Sequence, residues 1–82
     1  SGISITVKTP SKAVDGIQVW RREGKTGKYV LVEERTTTKG FSFIDDGVTK
    51  GKTYYYKVKT YRLDGDEKVL SNYSSPKKVK KK

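Results

Sequence analysis

The sequence predicts a single small all-β domain built as a β-sandwich, and three observations support this. The chain has 82 residues, which is enough for one domain. Its apolar residues recur with a period of two along most of the chain, which is typical of half-buried strands and not of amphipathic helices. Turn-forming residues interrupt this alternation roughly every 8 to 12 residues, as they do in sandwiches.

Three strands are predicted in the N-terminal half. Residues 3–8 alternate between Ile or Val and polar residues. A loop of turn-forming residues at 9–16 separates them from a second strand at residues 17–22. The polar, glycine-containing stretch 23–28 then leads into a third strand at residues 29–34. Because that stretch is short, the second and third strands are predicted to form a hairpin.

The C-terminal half is predicted to contain three more strands and a lysine-rich end. The strands cover residues 41–44, 54–62 and 68–73. After Pro76 the pattern is interrupted, so we expect the domain to span residues 1–76 and residues 77–82 to form a final strand or a tail. Alternation assigns the core to Ile3, Ile5, Ile17, Val19, Phe43, Tyr54, Tyr56 and Val58.

The charge of the chain is strongly basic and unevenly distributed. Nineteen Lys and Arg residues against nine Asp and Glu give a net charge of +10. Five of the lysines lie in residues 77–82, so half of the positive excess belongs to one short segment. Such a run is most often a solvated linker, and the alternative is a phosphate-binding patch.

The composition excludes much of catalytic chemistry. The chain has no Cys and no His, which removes disulfides, thiolate nucleophiles, zinc–thiolate sites and the commonest general base. We therefore predict a protein that is not an enzyme and that needs no cofactor. No segment is apolar for long enough to span a bilayer or to act as a signal peptide, so we expect a soluble, mature or excised piece.

Four stretches together resemble a known family. Residues 16–22, 43–48, 51–59 and 71–76 occur in the order and spacing of a fibronectin type III domain, and the similarity covers nearly the whole chain. It is greatest to the lysine- and tyrosine-rich version found in surface and extracellular proteins of Gram-positive bacteria. The resemblance implies an immunoglobulin-like β-sandwich. It also implies an extracellular or cell-surface module that provides spacing or protein or glycan contacts.

The resemblance also assigns a structural tyrosine. In this family a tyrosine at the corner between the two sheets bonds through its hydroxyl to upstream backbone. Gly51 and Tyr54 occupy the corner positions here, while Lys50 stands where the family usually has proline. Val7 stands where the family has a tryptophan, and Trp20 is the only tryptophan of the chain.

The first strand of the family, strand A, should precede residues 3–8. Only Ser1 and Gly2 are available for it, so strand A is expected to be missing or truncated. Without it the strand at residues 3–8 has an unpaired edge, which lysines, the C-terminal tail or a partner chain would have to cover. A strand-pairing dimer is one such arrangement.

Two acidic segments are the candidates for carboxylate chemistry. Asp45 and Asp46 are adjacent and point in different directions, so we expect a turn with an Asx-type hydrogen bond rather than a catalytic pair. Asp64, Asp66 and Glu67 surround a glycine but lack the spacing of a Ca²⁺ loop. A solvated hairpin turn is favoured there, and no metal site is predicted.

One face of the predicted sheet is the candidate binding surface. Aromatic rings beside cations can stack on sugars or bases, but the same mixture is also ordinary packing of rings under lysine stems. The residues expected on this face are Trp20, Tyr55, Lys57, Lys59 and Tyr61.

Two functions therefore stay open. The first is contact with a protein or glycan partner of unknown identity through this face or the loops at the sandwich ends. The alternative is a polyanion-binding module for an anionic cell-wall polymer or nucleic acid, with nucleic acid the less favoured of the two. Its affinity would fall steeply with salt.

Overall fold

The computed structural model describes residues 2–82, and Ser1 lies outside the described residues. Strands are the only regular secondary structure in this range, so no helix there is long and apolar enough to cross a membrane. The predicted strands are all present, with small shifts at their ends. They are β1 (Ile3–Val7), β2 (Gly16–Glu23), β3 (Val30–Arg35), β4 (Phe41–Asp45), β5 (Thr53–Asp64), β6 (Glu67–Leu70) and β7 (Lys77–Lys80).

The strands form two antiparallel sheets. β1 pairs with β4 in a two-stranded sheet. The larger sheet has the order β3-β2-β5-β6, and β7 also pairs with β5. β6 pairs with residues 61–64 of β5 and β7 pairs with residues 53–56, so the two short strands pair with different segments of β5. Residues 77–80 therefore form a final strand, which was one of the two expected alternatives.

The predicted strand at residues 68–73 is shorter than expected and ends at Leu70. Beyond it, two serines bond to β5 through both backbone and side chain: the amides of Ser71 and Ser74 donate to the carbonyl oxygens of Thr60 and Val58 at 2.8 and 2.9 Å. The amide of Thr60 donates to Ser71 Oγ at 2.9 Å, and the amide of Val58 donates to Ser74 Oγ at 3.0 Å. These bonds satisfy β5 between β6 and β7, because a hydroxyl oxygen accepts a backbone N–H as a carbonyl does.

The core lies between the two sheets. Ile17 and Val19 of β2 have no exposed surface, and Tyr54 and Tyr56 of β5 are also buried. Ile3 of β1 faces them from the small sheet. These five predicted core residues are confirmed. The other three predicted residues are partly buried and pack against this cluster: Ile5, Phe43 and Val58. An apolar core between two sheets is the arrangement of a β-sandwich.

The predicted core left out several residues that are buried: Val7, Val14, Gln18, Asp45 and Tyr61. Val14 is 8% exposed and joins the core from a loop, where alternation gives no signal. Asp45 at the end of β4 is 6% exposed. Both of its oxygens lie 2.8 Å from Nη1 of Arg21 on β2, so an ion pair links the small sheet to the large one.

Two further donors complete the Asp45 site. The Tyr56 hydroxyl donates to Oδ2 at 2.7 Å, and the amide of Gly47 donates to Oδ1 at 3.1 Å. The bond from Gly47 is the predicted Asx-type turn. Burial opposes ionisation of Asp45, but the hydrogen bonds from Arg21, Tyr56 and Gly47 outweigh it and lower the pKa of its carboxyl. Burial, and then the bond to Asp45, raises the pKa of Tyr56.

The corner before β5 is closed by the Tyr54 side chain. Its hydroxyl accepts a hydrogen bond from the amide of Thr49 at 2.6 Å, five residues upstream. The ring is 2% exposed, and the guanidinium of Arg21 lies 5.6 Å from its centroid. Gly51 has a φ of +86°, in the left-handed region that glycine adopts without strain. The predicted bond to upstream backbone is thus present.

Candidate binding face

The register between β2 and β5 determines which side chains share the outer face of the large sheet. Trp20 lies opposite Lys57, and Arg22 lies opposite Tyr55. Directly opposed residues of antiparallel strands point to the same face and are close enough to interact. The inner face of both strands holds the core, so these four side chains point away from it. Lys59, two residues beyond Lys57 on β5, joins them.

Two lysines lie between aromatic rings on this face. Lys57 Nζ is 4.8 Å from the ring centroid of Tyr29 and 4.9 Å from that of Tyr73. Lys59 Nζ is 4.3 Å from the centroid of Tyr73 and 5.7 Å from that of Trp20. All four distances are within the range of cation–π attraction, about 6 Å. Each ammonium group is therefore held by two rings.

Arg22 extends this arrangement from Tyr29 to Tyr55. Its guanidinium carbon is 5.1 Å from the ring centroid of Tyr29 and 4.9 Å from that of Tyr55. The rings and cations thus alternate along the face. We call this the cation–π row, and its members in order are Tyr55, Arg22, Tyr29, Lys57, Tyr73, Lys59 and Trp20.

The rings of the row also contact one another. Tyr73 lies edge-on to Trp20 at a centroid distance of 6.0 Å and tilted against Tyr29 at 5.5 Å. Both distances are typical of aromatic pairs in proteins. Tyr73 lies between β6 and β7, and Tyr29 precedes β3, so the row joins two loop residues to the sheet.

The cations of the row carry charge that no carboxylate neutralises. The salt bridges within residues 2–82 involve Arg21, Arg35 and Lys68, all outside the row. Two buried polar atoms of the row, Arg22 Nε and the Tyr29 hydroxyl, also have no hydrogen-bond partner among the described residues. Buried donors without partners are uncommon in proteins, and these two atoms have too little exposed surface to meet a partner directly.

A polar network orients the Trp20 end of the row. Trp20 Nε1 donates to Gln18 Oε1 at 3.0 Å, and the Gln18 amide group donates to Glu34. Lys68 donates to the same carboxylate at 2.7 Å. The bonds from Lys68 and then Gln18 lower the pKa of Glu34, and the bond to Glu34 raises the pKa of Lys68. The Glu34 carboxylate is therefore paired with Gln18 and Lys68 and not with a cation of the row.

The structure brings together four of the five predicted face residues: Trp20, Tyr55, Lys57 and Lys59. Tyr61 differs, because it is 2% exposed although its register position is on the same side. Its ring lies directly over Gly16, where a Cβ atom would overlap it. The missing side chain of Gly16 thus makes room for the ring, and Tyr61 offers little surface to a partner.

Three members of the row were not among the predicted face residues. Arg22 shares the alternation of Trp20, so its position on this face was visible in the sequence. Tyr29 and Tyr73 lie outside the strands, where alternation does not indicate the direction of a side chain. Only the tertiary structure shows that they complete the row.

The second acidic segment forms the turn between β5 and β6. Asp64 and Glu67 are the last paired residues on either side, and Gly65 between them has a φ of +62°. A glycine in the first central position is typical of a two-residue hairpin turn. Within residues 2–82 no three His, Cys, Asp or Glu side chains are grouped so as to hold a metal ion.

Comparison with known proteins adds no relative. No protein-family model matches this chain, and neither a curated protein nor a solved structure matches it. The fold and the face therefore define the class on their own: a small all-β domain of two sheets with a basic, aromatic outer surface.

Proposed function

We propose that this chain is a non-catalytic binding module whose contact surface is the cation–π row. The observation that carries the proposal is the set of cations that lie on rings without a carboxylate partner. Cations held in this way keep their charge for an anionic group of a partner, while the rings supply apolar contact. The partner is accordingly a protein or glycan with acidic groups on its surface.

We further propose a fibronectin type III-like fold and an extracellular or bacterial cell-surface location. The order β3-β2-β5-β6 beside a separate β1–β4 pair supports this, as does the bond between the Tyr54 hydroxyl and upstream backbone. The module would space neighbouring domains or add contacts between them, and no bond is made or broken. Protease treatment of intact producing cells tests the location. Release of the segment is expected, and protection until lysis contradicts it.

A pair of charge reversals tests the contact surface. Lys57→Glu with Lys59→Glu removes two cations of the row, whereas Lys50→Glu with Lys52→Glu changes the net charge by the same amount at exposed loop positions. Heparin, a sulfated polysaccharide, serves as the anionic probe. We expect the first pair to weaken binding at least tenfold and the second pair by less than threefold, roughly 1.4 kcal/mol against less than 0.7 kcal/mol.

Two results would contradict this assignment. An equal loss of heparin affinity in both double variants would mean that net charge, and not the row, determines binding. Unchanged binding in the first pair would remove the row from the contact surface. Thermal melting of each variant confirms that the fold is intact before binding is compared.

The polyanion-binding alternative is favoured by one specific observation. Lys78 of β7 lies opposite Tyr55 in the register, so its side chain extends the outer face at the Tyr55 end of the row. Lys80, two residues on, points to the same side. Part of the lysine-rich C-terminal segment therefore lies in a strand beside the row. This function predicts that log K falls linearly with log salt, with a slope of about −0.7 to −0.9 per neutralised phosphate. A flat salt dependence would exclude it.

A further inference from the structure

Among residues 2–82 both edges of the small sheet lack a partner strand, and the edge of interest is that of β1. β1 pairs with β4, and no other strand among residues 2–82 borders it. In an antiparallel pair, alternate residues direct their N–H and C=O groups away from the neighbour. Exposed edges are usually protected by a charge, a proline or a bulge. β1 has the sequence ISITV, is paired without a bulge, and contains none of these.

An apolar groove of about 230 Å³ runs along this edge, between the sheets. Its floor includes Val19 and Tyr56 of the core, with Val58 beside them. Ile5 of β1 and Val79 of β7 also line it. Val58 and Val79 remain partly exposed although they pack against the core. The two-stranded sheet therefore leaves part of the inner face of the five-stranded sheet uncovered.

We propose that this groove binds an extended acidic peptide segment of another protein, which adds to β1 as a third strand. In this mode of recognition, backbone hydrogen bonds supply affinity and alternate side chains fill pockets. The groove is smaller than the ~300–1,000 Å³ typical of small-molecule sites. It suits the apolar side chains on one face of a strand, and the free edge of β1 supplies the backbone partners that such a strand requires.

The charge around the groove determines the chemistry of the segment. Lys77 is the one charged residue among those lining it, and none of them is acidic. Lys8 follows β1 directly, and the chain carries a net charge of +10. A positive rim attracts acidic residues at the alternate positions that face solvent. The same charge opposes a second copy of this chain, which would bring another +10 to the groove.

A synthetic peptide tests the proposal on the 82-residue chain. The probe is a blocked seven-residue peptide of alternating Glu and Val, and the comparison peptides are a Lys–Val alternation and a scrambled Glu/Val sequence with adjacent valines. Binding is followed by titration calorimetry and by amide hydrogen exchange. We expect the alternating acidic peptide to bind at least tenfold more tightly than either comparison peptide and to protect alternate amides of β1.

Two charge reversals on β7 provide a matched control. Lys77 lies opposite Tyr56 and points towards the groove, whereas Lys78 lies opposite Tyr55 and points to the outer face. Lys77→Glu should weaken binding of the acidic peptide by about three- to tenfold, as expected for reversing one charge at the rim of the groove. Lys78→Glu should change its affinity by less than twofold.

Three outcomes would overturn the proposal. The first is no binding of the acidic peptide at millimolar concentration. The second is binding that Lys78→Glu weakens more than Lys77→Glu, since the peptide would then lie on the outer face of the large sheet and not in the groove. The third is protection of β1 amides that rises with protein concentration in the absence of peptide, because a second copy would then occupy the edge.

Discussion

Replacing Asp45 by Asn should cost the domain about 3 kcal/mol of unfolding free energy at neutral pH. The side chain is 6% exposed and accepts hydrogen bonds from Arg21, Tyr56 and Gly47. Asn keeps one acceptor oxygen but turns an amide donor towards the other donors. Arg21, whose side chain is 17% exposed, then loses its counter-ion. Breaking a buried ion pair from one side costs roughly 3–5 kcal/mol, and the partial exposure of Arg21 favours the lower value.

The expected change is large for a domain of this size. Stabilities of about 0.05–0.15 kcal/mol per residue leave such a domain a total of only about 4–12 kcal/mol. A loss of 3 kcal/mol lowers Tm by roughly 12–24 °C. Urea unfolding followed by the fluorescence of Trp20, the only tryptophan, measures the free energy directly. Asp46→Asn is the matched control, because Asp46 is exposed and its replacement should change stability by less than about 0.5 kcal/mol.

The pH dependence supplies a second measurement of the same site. The pKa of Asp45 is lowered in the folded protein, so its ionised form contributes stability at neutral pH. That contribution stays complete down to about pH 4 and is lost as the pH falls through the lower folded value. The difference between wild type and Asp45→Asn should therefore narrow below pH 4. A difference under about 1 kcal/mol that does not vary with pH would refute the role assigned to the ion pair.

Three further substitutions test how the backbone and the core are held. Tyr54→Phe removes the acceptor of the Thr49 amide and should destabilise the domain by about 1–3 kcal/mol; an unchanged Tm would disprove that role. Gly16→Ala places a Cβ atom against the buried ring of Tyr61 and should lower the free energy of unfolding in urea by about 1–3 kcal/mol. An unchanged free energy of unfolding would show that the ring does not overlap this position. Gly51→Ala meets open space but holds a φ of +86°, so about 1–2 kcal/mol of backbone strain is expected, and a stabilised variant would contradict this.

The strands were predictable because their signal is local. Alternation in residues 3–8 or 54–62 reflects neighbours two positions apart, and it indicates both the strand and its buried face. The core residues Ile17 and Val19 follow from the same pattern, and they are the most buried side chains of the domain. The pattern fails where the chain leaves the strands, as at Val14, which is buried from a loop.

The candidate face was predictable only in part. Trp20 and Lys57 are assigned to the outer side by alternation on their own strands. Their contacts depend on the register of β2 against β5, and the irregularity between Val19 and Trp20 in the pairing of β2 with β3 shows how one shift changes the neighbours. Tyr73 could not be assigned, because it lies in the loop after β6 ends at Leu70, and only the tertiary structure places its ring beside Lys59.

The sequence by itself determined that the chain is all-β, where its strands lie, and which face of each strand is apolar. Those properties depend on residue types at a spacing of two. Only the tertiary structure decided that Asp45 is buried beside Arg21, 24 residues away, that Tyr61 lies over Gly16, and that the rings and cations alternate in one row. Such contacts join residues that are distant along the chain, and they exist only once strand register and sheet packing are fixed.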